Sequence, residues 1–171
     1  MPTEICPDCG VELPQSTGAH HPYIGASASC WTLYANNFLA GQPIVTDTAY
    51  GITIHDAYCV QHHGLSADKR AVQSVAVHLV TLYAVLKLGQ TNTYWVRNRL
   101  LRGNRHNRFT WLTPPETNKQ VTILPIVEAQ SLHEQTKRLE HYVKSIADNW
   151  LPLHEETVVH WYEKFVLADR I

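Results

Sequence analysis

Cysteine and histidine carry most of the chemistry open to this 171-residue chain, and they are unevenly placed. All four cysteines, Cys6, Cys9, Cys30 and Cys59, and five of the eleven histidines fall within the first 68 residues. In Cys6-Pro7-Asp8-Cys9-Gly10, two thiolates stand at the spacing that grips one tetrahedral ion from a tight turn; proline presets the turn and glycine permits the bend after it. Zinc takes four ligands, and a second C-x-x-C is missing. Cys30 and His21 are the first choice for the other two, because they flank the Pro-Tyr-Ile-Gly-Ala-Ser segment through which the arm must fold. His20 and Cys59 are held in reserve. A redox C-x-x-C belongs beside a strand in a βαβ pattern, which this sequence does not show. Plain buried thiols are the remaining alternative.

A second concentration of ligand types is His55-Asp56-Ala57-Tyr58-Cys59-Val60-Gln61-His62-His63. On a helix, Asp56, Cys59 and His63 share one face, and His55 and His62 the neighbouring one. His78 falls in the middle of an apolar helix, where a buried imidazole needs a hydrogen-bond partner or a metal. The spacing of His154 and His160 excludes the H-E-x-x-H protease motif. These residues suggest a carboxylate and histidine site of Asp56, His62, His78 and His154, holding a second divalent metal able to activate water. The competing reading is a buried hydrogen-bond network.

Arg97, Arg99, Arg102, Arg105 and Arg108, interleaved with aromatics, could form a phosphate or nucleic-acid patch. Such a run is more often a solvated face paired with acids, so nucleic acid is a secondary candidate and the partner is otherwise unknown. Lys69 is the first basic residue; six acids precede it, and fourteen basic residues against nine acids run from it onward. The first segment, rich in ligands and empty of competing cations, suits a divalent ion. The formal net charge of -1 gives no pull toward nucleic acid or membrane. The polar start lacks an apolar export segment, which predicts a cytoplasmic protein with reduced cysteines. The apolar run from Val75 to Leu86 is shorter than the roughly 20 residues of a membrane span.

The elements that must position these groups are mainly helical. Residues 1 to 26 read as an irregular arm that needs a staple. A helix follows from Ser27 or Ser29 to Leu39, then a short extended piece over 44 to 53 and a short helix from Ile54 to His62. The clearest element covers 66 to 88, with Ser66 as N-cap and Gly89 past its end. Another helix is expected from Thr91 to Leu101 and a long loop with an extended segment over 109 to 131. Two closing helices, 132 to 150 and 153 to 168, are separated by Pro152.

The blocks CPDCG, HPYIGAS followed by Cys30-Trp31, DAYCVQH and QSVAVHL resemble a family of small uncharacterised bacterial proteins, a domain of unknown function. The resemblance runs through residues 6 to 86, with a weaker echo near Trp150 and His154. It implies that Cys6, Cys9, His21, Cys30, Asp56, His62 and His78 occupy motif positions. Cys59 stands where these proteins usually carry a small residue, and His63 where they often carry proline, so neither is implied as a ligand. No activity follows from the resemblance.

The sequence therefore predicts one domain over 1–171, a helical bundle of four to six helices with an irregular zinc-stapled N-terminal arm. Residues 1–43 would form the arm and first helix, and 44–171 the helical core. The expected function is zinc binding, with metal-dependent hydrolysis at the second site; the alternative is a noncatalytic zinc-stapled adaptor acting through the arginines.

Overall fold

The computed structural model describes residues 2–39, 42–46, 48, 50–102 and 109–168. Seven α-helices and one two-stranded sheet lie among the described residues. The arm is more regular than its composition suggests. Strand β1 (Thr3–Ile5) pairs antiparallel with β2 (Glu12–Pro14), and Ile5 faces Glu12 in register. The knuckle closes this hairpin: the Gly10 amide donates to the Cys6 carbonyl at 2.9 Å, and the Cys6 amide to the Val11 carbonyl at 2.8 Å. Gly10 sits at φ 76°, a left-handed conformation that a side chain would strain.

Helix α1 (Ala28–Phe38) starts where the Ser27 hydroxyl accepts from the Cys30 amide. Glu4 on β1 adds a second cap, its carboxylate accepting from the Ser29 amide at 2.6 Å. The hairpin is thus tied to the helix that carries Cys30. The segment expected to be extended is instead one turn of helix, α2 (Pro43–Thr46), and a 3-10 turn at Gly51–Thr53. The 3-10 turn leads directly into α3 (Ile54–Gln61).

Helix α4 (Lys69–Leu88) is capped by Asp68 rather than Ser66, since the Asp68 carboxylate reaches the Arg70 amide at 2.8 Å. It ends at Gly89, with φ 66°. At 20 residues it is longer than its apolar run and long and apolar enough to cross a membrane, yet it is the core helix, packed against α3, α5 (Thr93–Leu101) and the long helix Leu132–Trp161. The predicted loop between 109 and 131 contains a 3-10 turn at Glu116–Lys119 and α6 (Leu124–Val127) in place of a strand.

The two predicted closing helices are one. Helix α7 (Leu132–Trp161) runs through Pro152 and continues as a π-helical segment, Tyr162–Leu167. Pro152 is exposed, whereas Trp150, Leu151, Val158 and Trp161 are buried. The apolar stripe on one side holds the helix together across a proline on the other. A single apolar cluster extends from Cys6 in the knuckle to Val166 in the last turn.

Candidate metal centre

Three elements bring four donors together. The hairpin supplies Cys6 and Cys9, the first turn of α1 supplies Cys30, and His62 follows the last residue of α3. All four are buried, and their donor atoms lie within 4.8 Å of one another. Cys9 and Cys30 sulfurs stand 3.8 Å apart, and His62 Nε2 is 3.4 Å from Cys30 Sγ. Donors on a zinc tetrahedron, with Zn–S ~2.3 Å and Zn–N ~2.0 Å, stand roughly 3.5–3.8 Å apart. The cluster could hold a metal such as zinc.

His62 is aimed by its surroundings. Its Nδ1 donates to the Tyr58 carbonyl at 2.9 Å, which leaves Nε2 for the sulfurs. The Tyr58 hydroxyl lies 3.5 Å from Cys30 Sγ. The crowded donors shift one another's affinity for protons. Hydrogen bonds with Cys30 and Cys9 push the Cys6 thiol far below its ordinary range. Hydrogen bonds with Cys30 and Cys6 push Cys9 up. Burial disfavours a charged His62, but the Cys30 and Cys6 sulfurs outweigh it and raise the imidazole to about 10. A divalent cation would take the place of those shared protons.

His62, in place of the expected His21, stands with the three cysteines in this cluster. His21 is engaged within the arm: its Nδ1 accepts from the Ile24 amide at 3.2 Å, and its ring packs on Tyr23 and Trp31. His20 is exposed.

A polar lattice supports the centre from behind. The Asp8 carboxylate, between the two knuckle cysteines, accepts from the Gly64 amide at 2.9 Å. Asn118 donates to the carbonyls of Asp8 and Gln61, and its own carbonyl oxygen accepts from Trp150 Nε1 at 3.0 Å. Gln61 donates to the carbonyls of Asn118 and Val121 and accepts from the Tyr142 hydroxyl at 2.7 Å. Hairpin, α3, the 3-10 turn and α7 are joined through two buried amides.

On the other side of α3, His55, Cys59 and His78 form a second group whose donor atoms lie within 4.8 Å of one another. Asp56 and His78 meet as expected, with Nδ1 donating to Oδ1 at 2.7 Å. Arg97 grips the same carboxylate, Nε to Oδ1 at 3.0 Å and a terminal nitrogen to Oδ2 at 2.5 Å. Burial would raise the Asp56 carboxyl, yet His78 and Arg97 hold it below the usual range. The other two members of the predicted site are elsewhere: His62 is in the sulfur cluster, and His154 Nε2 donates to the Thr113 carbonyl at 2.9 Å. The spacing of four between His55 and Cys59 on a helix was the signal for their meeting.

Of the predicted arginine patch, Arg97 is committed to Asp56, and Arg99 lies over the Trp95 ring at 5.8 Å. Arg102 ends α5, while Arg105 and Arg108 lie outside the described residues.

Residues 4–151 match the profile of a family of unknown function, DUF5946. The chain belongs to that family. The match takes in both donor groups and the Gln61–Asn118 lattice. No curated protein and no solved structure matches the chain.

Proposed function

We propose that this member of DUF5946 is a zinc protein whose Cys6, Cys9, Cys30 and His62 hold one structural zinc ion. The observation that carries the reading is the closed set of four buried donors, three sulfurs and one nitrogen, on three separate elements. Thiolates and imidazole suit zinc, and four protein donors leave no position for a reacting water. The ion acts as a staple that fastens the hairpin to α1 and α3, within a chain that works as one domain. The reduced thiols it needs fit a cytoplasmic protein, in line with the four free cysteines.

Hydrolytic chemistry belongs instead beside Asp56 and His78. A cavity of about 310 Å³ opens there, with His78 and Arg97 in its wall. The buried carboxylate orients the imidazole at that wall, as a positioning residue does.

Elemental analysis of the purified chain, combined with Cys6→Ser, tests the staple. One tightly held zinc that disappears in the variant, together with loss of the hairpin's amide protection, is expected. Full zinc content in Cys6→Ser would refute it.

A further inference from the structure

We infer that His55, Cys59 and His78 bind a second divalent metal ion through three protein donors, leaving its fourth position open to water. The inference deepens the hydrolytic half of the proposed function and does not depend on the zinc staple.

Three observations converge on this group. His55 Nε2 and Cys59 Sγ are 3.7 Å apart, one turn from each other on α3. The His55 and His78 rings meet edge to face with centroids 4.9 Å apart, so α3 and α4 present their imidazoles to one point. The three donor atoms lie as close together as those of the sulfur cluster.

Both imidazoles are also held from behind. His78 Nδ1 donates to Asp56, whose own charge is balanced by Arg97, and His55 Nδ1 lies 2.8 Å from the Tyr34 hydroxyl. With Nδ1–H directed at Asp56 and at the Tyr34 oxygen, each Nε2 lone pair is left for a cation; this is the outer-shell arrangement that fixes metal-binding histidines. Arg97 does not oppose the ion, because its fork is spent on the carboxylate.

The two donor groups differ in what they leave available. The sulfur cluster has four donors and full burial, whereas this group has three donors and half-buried imidazoles. Of the three donors His78 lines the 310 Å³ cavity, along with Tyr23, Arg70, Gln73, Ser74 and Arg97. Three protein donors with a fourth position left open is the pattern of catalytic zinc, and imidazole and thiolate are both zinc ligands. A water bound there would have its pKa brought down toward ~7, so that it loses a proton to solvent, and the hydroxide left could attack a carbonyl or phosphoryl group in the cavity as the bond to the leaving group breaks and that group takes up a proton from solvent.

The test uses the full-length protein with Zn²⁺ and, as an optical probe, Co²⁺. Two zinc equivalents are expected per wild-type chain, one of them removed by a chelator with the helical circular dichroism unchanged. Co²⁺ added back should give a thiolate-to-cobalt charge-transfer band. Cys59→Ala and His55→Gln should each lose that band and the labile equivalent while keeping the tight one. Cys6→Ser affects the other ion, so failure of the staple is read separately. A wild-type chain that accepts a single equivalent overturns the second site, as does a Co²⁺ spectrum that Cys59→Ala and His55→Gln leave unchanged. Either result would make the three side chains a hydrogen-bond network.

Discussion

Tyr58 holds His62 twice, by packing its tilted ring against the imidazole at 3.9 Å between centroids and by accepting the Nδ1 proton on its carbonyl at 2.9 Å. The same tyrosine places its hydroxyl against Cys30. One residue of α3 therefore fixes both the donor that follows the helix and the donor that α1 brings to it. His62→Ala is expected to lose the tight zinc and to destabilise the fold by about 4 kcal/mol or more, the range of lost metal sites. His21→Ala should keep its zinc and lose at most about 1 kcal/mol from arm packing. Zinc content and urea unfolding of the pair decide the matter, and equal zinc loss in both variants would contradict the assignment.

Asn118 satisfies three groups at once, the carbonyls of Asp8 and Gln61 and the Trp150 indole N–H. A buried polar group left without a partner costs about 1–3 kcal/mol. Asn118→Ala should therefore cost about 3 kcal/mol and loosen the knuckle, which is readable as faster zinc release to a chelator. Asn149→Ala, which removes only a long 3.4 Å contact to the Thr117 carbonyl, should cost less than about 1 kcal/mol. Similar losses in the two variants would show that the lattice does not support the centre.

Much of this was legible locally. The C-x-x-C knuckle, the Ser27 cap and the Gly89 stop are short-range signals, and the corresponding elements lie where the sequence put them. The identity of the fourth donor was not legible, because Cys30 and His62 are 32 positions apart and are brought together by the packing of α1 on α3. For Asp56 the sequence leaves a metal site and a hydrogen-bond network both open, since no local signal announces that Arg97 from another helix reaches both its oxygens. Gln61 and Asn118 carry no chemical signature at all. Their importance comes from burial alone.

The Tyr34 hydroxyl is the outer support of His55. Tyr34→Phe removes that contact while keeping the ring stacked on Tyr58. Loss of an outer partner typically weakens a metal site about 10–100-fold. Competition titration with a coloured chelator should show roughly 10-fold weaker binding of the labile ion, with the tight zinc unaffected. Unchanged affinity would mean that His55 needs no orientation from Tyr34.

Glu4 joins the hairpin to α1, and the bond from Ser29 holds its carboxyl below the usual range. The unfolded chain therefore takes up that proton more readily than the folded one. Stability from Glu4 is complete above the ordinary glutamate pKa and drains away as pH falls through the lowered folded value. The difference in urea midpoint between wild type and Glu4→Gln should accordingly be largest near neutrality and shrink in acid. A difference that grows on acidification would contradict the cap.

Pro152 lies on the exposed side of a helix whose opposite side is fully packed. Proline there removes one main-chain donor, leaves the Asp148 carbonyl without its helical partner and crowds it, which costs about 3 kcal/mol in an unstrained helix interior. Part of that is offset, because proline also restricts the unfolded chain by about 0.4–1 kcal/mol. Pro152→Ala should then stabilise the protein by about 2 kcal/mol, with both metal contents unchanged, since neither donor group draws on α7. Urea unfolding is the measurement. If the variant is no more stable than wild type, a bend imposed by Pro152 would be what lays Trp150 and Leu151 on the core and Val158 and Trp161 on the same side a turn or more later. A helix straightened by alanine would gain a hydrogen bond and lose that fit.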